Sequence, residues 1–107
     1  MNFPSDETGQ VLAEMQQAGI DLSISHDVVF FHLFEQQTQA QAMVDFIKQN
    51  IANVEVSLHA DETPNVWDVD CTIKMVPSYE AIVKQESEFE QMAIKFSGYS
   101  DGWGIDA

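Results

Sequence analysis

The sequence predicts an α+β fold in which helices flank one antiparallel sheet, and three observations lead to it. Apolar residues recur at helical spacing in three separate stretches, and they alternate with polar residues in two others. The two alternating stretches are joined by the turn-rich run Asp61-Glu62-Thr63-Pro64-Asn65, the signal of a hairpin and so of antiparallel pairing. At 107 residues, 45% hydrophobic and 10% aromatic, the chain is large and apolar enough to build a core, and a single domain over 1–107 is expected.

The first helix is expected over 6–18, with Val11, Leu12, Met15 and Ala18 on one stripe, Asp6 and Glu7 suited to the positive end of the helix dipole, and Gly19 as the stop. Gly9 costs up to about 1 kcal/mol against alanine there, so the first turn is expected to fray. Residues 26–35 read as a strand, because Val28, Val29, Phe30, Phe31, Leu33 and Phe34 form a β-branched and aromatic run too short for a full helix. Both of its faces are apolar, the pattern of a central strand covered on two sides, and the first helix is expected to cover the second side.

A helix follows over 37–50, with Ala40, Met43, Phe46, Ile47 and Ile51 inward and the glutamines on its solvated face. In the hairpin, expected over 53–76, Val54, Val56 and Leu58 alternate with Glu55, Ser57 and His59, and Trp67, Val69, Cys71, Ile73 and Met75 alternate with Asp68, Asp70, Thr72 and Lys74. Pro77 ends the second strand and Ser78 is placed to cap a helix over 78–97, with Tyr79, Ile82, Val83, Phe89, Met92, Ala93 and Phe96 inward and Glu80, Glu86, Glu88 and Glu90 outward. Tyr99, Trp103 and Ile105 around Gly102 and Gly104 suggest a short last strand over 99–105. The order is one helix and then β-α-β-β-α-β, the ferredoxin-like arrangement, in which the first and third strands are central.

Charge narrows the function. Eighteen Asp and Glu stand against four lysines and no arginine, a formal net charge of -14. Such a chain repels the nucleic-acid backbone and an anionic membrane surface, and it attracts a basic protein surface. Neither a signal peptide nor an apolar run of membrane-spanning length is visible, and the single Cys71 excludes an internal disulfide, so a reducing cytoplasmic setting is expected.

Catalytic and metal-binding signatures are missing. His26, His32, His59 and Cys71 share no ligand spacing, and Cys71 lies on the apolar face of its strand as a small core residue. Asp68 and Asp70, about 7 Å apart at their side-chain roots by strand geometry, could form a carboxylate pair. No aromatic sugar platform accompanies them, and with Glu55, Asp61 and Glu62 they are expected to form an acidic surface on or beside the sheet. No cofactor is implied. The expectation is a protein-binding module and not an enzyme, with Glu55, Asp61, Glu62, Asp68, Asp70, Asp101 and Trp103 as candidate contact residues. Two other readings compete with it: a small-molecule binder or minor enzyme using the open sheet face, and a self-associating structural module.

The run Lys95-Phe96-Ser97-Gly98-Tyr99-Ser100-Asp101-Gly102-Trp103-Gly104 resembles the end of the conserved domain in the RraB family, the B-type regulators of ribonuclease activity that inhibit ribonuclease E. Tyr99, Asp101, Gly102, Trp103 and Gly104 carry the match, and the element order and acidic balance extend it loosely over the chain. The resemblance implies a small bacterial cytoplasmic protein with a ferredoxin-like fold, whose partner is ribonuclease E or a related RNA-processing enzyme. Typical members continue into a long acidic tail, whereas this sequence ends at Ala107, so any inhibition that depends on such a tail is expected to be missing.

Overall fold

The computed structural model describes residues 5–106. It is an α+β structure of three helices and a four-stranded antiparallel sheet, with α1 at Glu7–Gln17, β1 at His26–Phe34, α2 at Gln37–Asn50, β2 at Glu55–Ala60, β3 at Trp67–Met75, α3 at Tyr79–Lys95 and β4 at Tyr99–Asp106. The strands lie in the order β2-β3-β1-β4, which puts β1 and β3 in the centre as expected. Each element falls within two residues of its sequence-derived bounds.

The core lies on one side of the sheet. Val28, Phe30 and Phe34 of β1 and Val69 and Cys71 of β3 meet Ala40, Met43, Val44 and Ile47 of α2 and Ile82, Phe89 and Ala93 of α3, all buried. Phe89 packs tilted against Phe30 and edge-to-face with His32, at centroid distances of 5.4 and 5.9 Å. Burying each such side chain contributes roughly 1.5–3 kcal/mol. Trp103 and Ile105 of β4, opposite Phe30 and Val28, pack against the rim of the same core.

Four expectations are corrected. The second face of β1 is not covered: Val29, Phe31 and Leu33 alternate with the buried residues and remain only half-buried, because α1 packs on α3. The fraying expected at Gly9 is opposed, since the Asp6 carboxylate accepts the Gly9 amide at 2.9 Å and the glycine is buried. On α3, Glu86 is drawn half inward and Val83 is left exposed, because α1 covers only part of that helix. On α2, Val44 takes a core position while Phe46 lies half-buried against Phe96, centroids 5.8 Å apart.

The end of α3 sets up the last strand. Ser97 adopts a left-handed conformation at φ 69°, and the Gly98 amide returns to the Ala93 carbonyl at 2.7 Å, closing the helix. Gly98 then passes directly over the buried Phe34 ring. An added Cβ would stand 2.3 Å from that ring.

Candidate functional site

Strand register sorts the candidate residues onto two faces. Paired residues of adjacent strands point to the same side. His59 lies opposite Asp68 and Ser57 opposite Asp70, while Asp68 pairs across β3–β1 with Leu33 and Asp70 with Phe31. Tyr99 of β4 pairs with Leu33 on the other side. The face away from the helices therefore carries Glu55, Asp68 and Asp70 over β2 and β3, Val29, Phe31, Leu33 and Tyr99 over β1 and β4, and the Asp27–Lys74 pair nearer the start of β1.

His59 organises the acidic half. Its Nε2 is 3.1 Å from Asp68 and its Nδ1 is 3.8 Å from Asp70. Burial raises the carboxyl pKa of both residues above the ordinary value; at Asp68 the neighbouring Asp61 carboxylate adds to the rise, and at both His59 opposes it. Oδ1 of Asp68 is buried without a hydrogen-bond partner. Because both ring nitrogens of His59 are turned to carboxylates, neither is directed at a nucleophile, and the constellation is an electrostatic feature of the surface.

Asp61 has a local structural task. Its carboxylate accepts the Thr63 amide at 2.9 Å, and its own amide donates to the Val66 carbonyl at 2.9 Å, closing the β2–β3 loop. The hydrogen bond from Thr63 holds the Asp61 carboxyl below its ordinary pKa. Glu62 is exposed on the same loop, and Glu55 is exposed at the start of β2 on the face that carries Asp68 and Asp70.

Asp101 and Trp103 do not join this group. They lie on β4, at the opposite margin of the sheet, where the β1–β4 register slips between Phe30 and His32. Asp101 and Gly102 together stand opposite Phe31, a bulge that Gly102 permits with φ 96°. Asp101 is exposed, whereas Trp103 faces the helix side. A cleft of about 590 Å³ opens beside the bulge, lined by Glu7, Val11, Phe31, Glu86, Asp101 and Trp103 among others. Burial raises the Glu86 carboxyl pKa, and nearby Glu90 and Glu7 add to the effect.

Sequence reasoning missed Phe31, Leu33 and Val29 as surface residues, because an all-apolar strand reads as buried on both sides. The polar alternation of β3 was the available signal. A central strand beside an open polar face must share that face.

A scan against known protein families matches residues 5–105 to the family described as Regulator of ribonuclease activity B. The chain belongs to this family. The match runs from the residue before the α1 cap to the last apolar residue of β4, so the whole described architecture is that of a B-type regulator of ribonuclease activity. A comparison with curated proteins finds no match. In this RraB-family protein the residues of the C-terminal motif divide by role. Gly102 serves the bulge and Trp103 the core, while Tyr99, 48% exposed, and Asp101 stand at the surface. Gly104 is not required by space, since an added Cβ would meet Phe31 at 3.7 Å, an ordinary contact. Among the described residues no group of three His, Cys, Asp or Glu could hold a metal ion, and no helix is long and apolar enough to cross a membrane.

Proposed function

We propose that this protein is a non-enzymatic, cytoplasmic bacterial regulator that binds a ribonuclease E-type endonuclease and slows its cleavage of RNA. The family match over residues 5–105 carries the reading. Electrostatics supports it. Among the described residues no lysine lies within ion-pair distance of a carboxylate, so the net charge of -14 acts outward as a field for a basic protein surface. That same field opposes direct RNA binding. The ferredoxin-like reading of the fold belongs here too, supported by the central placement of β1 and β3.

The test is a cleavage assay with purified ribonuclease E and a fluorogenic RNA, with and without this protein, over a salt series. Slowed cleavage at low salt, with association weakening about tenfold or more toward physiological salt, is the expected result. Unchanged cleavage at a saturating concentration of the protein would sink the proposal. A small-molecule role for the open face has less support, because the 590 Å³ cleft is lined by neither Asp68, Asp70 nor His59.

A further inference from the structure

We propose that the uncovered face of the sheet is the docking surface for a partner segment that carries lysine or arginine side chains beside large apolar ones. The proposal rests on the regulator reading above and adds the surface and the chemistry of what binds it. A solvated sheet face is ordinarily polar at alternate positions. Here the central strand β1 instead presents Val29, Phe31 and Leu33, all half-buried, with Phe31 also bordering the cleft beside α1 and α3, and β4 adds Tyr99 beside Leu33. The adjoining strand presents Asp68 and Asp70, directly paired with Leu33 and Phe31. Over these pairs one surface has an apolar part beside an anionic one, and toward the start of β1 the same face carries the Asp27–Lys74 pair of opposite charges.

Charge complementarity selects the occupant. Asp68 and Asp70 are partly desolvated, and Oδ1 of Asp68 has no hydrogen-bond partner, so a cation delivered beside them relieves a cost already present in the unbound protein. A second copy of this chain fits poorly. A two-fold contact through this face would set each acidic part against the partner's acidic part or bury it against the partner's apolar part, between chains that each carry -14. Nucleic acid fails on the same ground. The apolar half asks for more than charge, which is why the segment must also carry large apolar side chains.

The test has two arms. In the first, affinity for purified ribonuclease E is measured for wild type, Tyr99→Ala, the Asp68→Asn/Asp70→Asn pair, and Ile94→Ala, the last a 60% exposed position on α3. Circular dichroism checks that each variant is folded; Tyr99 is exposed enough that its truncation leaves the core intact. An affinity loss of about tenfold for the two open-face variants, with Ile94→Ala unchanged, is the expected result. Equal affinity for all four would overturn the docking surface while leaving the regulator reading standing. In the second arm, amide shifts of the full chain are followed on adding a peptide of alternating lysine and leucine, and a glutamate–leucine peptide as control. Shifts from the lysine peptide alone, centred on β1, β3 and Tyr99, support the surface even if ribonuclease E does not bind, in which case the regulator reading falls by itself. Shifts centred on the helices, or equal shifts from both peptides, overturn it, as does displacement of the lysine peptide by RNA or by a second copy of the chain.

Discussion

Gly98 and His32 show how much of this molecule rests on single contacts. The Phe34 ring below Gly98 is wholly buried, so it cannot yield to the 2.3 Å approach that an added methyl would make. Gly98→Ala is expected to destabilise the protein by about 1–3 kcal/mol in urea unfolding, the range for overpacking a filled core. Gly102 requires its residue type for a different reason, backbone conformation alone, with open space around it. His32 is 1% exposed, with Nδ1 3.2 Å from the Val69 carbonyl and Nε2 unpartnered. Burial lowers its pKa below the ordinary 6.5. Its contribution is therefore complete above pH 6.5 and is lost as the pH falls below that value, because the unfolded chain takes up a proton that the folded one resists. The carboxylates raised by burial, Asp68, Asp70 and Glu86, work in the opposite sense at lower pH, where the folded state protonates first. Comparing wild type with His32→Leu cancels those terms: the urea midpoint of wild type is expected to fall between pH 7 and 5.5 relative to the variant. Parallel curves would mean that His32 ionises in the fold.

Among the elements, the two capped helices are held differently. Ser78 caps α3 through its hydroxyl, which accepts the Ala81 amide at 3.2 Å, and α3 is integral to the core. Ser78→Ala is expected to lower global stability by about 0.5–2 kcal/mol. Asp6 caps α1 and also accepts the Tyr79 hydroxyl, and these contacts hold its carboxyl below the ordinary pKa. Because α1 touches mainly α3, Asp6→Ala is expected to speed amide exchange across α1 while leaving the amides of β1 and β3 protected. Uniform loss of protection would show instead that α1 unfolds only with the whole. Most of the elements were legible in the sequence, since the change from a period of 3.6 to 2 and back marks them, and Pro77-Ser78 and Gly19 punctuate them. What covers β1 was not. Hydrophobicity on both faces of Val28–Phe34 says that water is disfavoured there, and it does not distinguish a covering helix from an absent partner.

For the molecule as a whole, the sequence supplied the charge and the acidic residues but not their distribution. Alternation placed Asp68, Asp70 and Glu55 on the solvated face, where the structure has them. Asp101 and Trp103, also candidate contacts from sequence, sit on β4 at the far margin of the sheet, and Trp103 is turned to the core, the packing role that a tryptophan on a short last strand suggests. The His59 bridge between Asp68 and Asp70 followed from register and was not visible in spacing. In the proposed complex, steering by the net charge would govern how quickly a basic partner arrives, whereas the mixed apolar and anionic face would govern how long it stays.

The bulge at Asp101-Gly102 has one more consequence, for behaviour at high concentration. An outermost strand with a regular row of unpaired amides and carbonyls is a template on which another chain can add a strand and begin to aggregate. The break in β4, with an exposed carboxylate at the break, denies that template on one side. On the other, β2 is only six residues long and begins with Glu55. A partly apolar sheet face is thereby left open without regular margins through which the same sheet could polymerise.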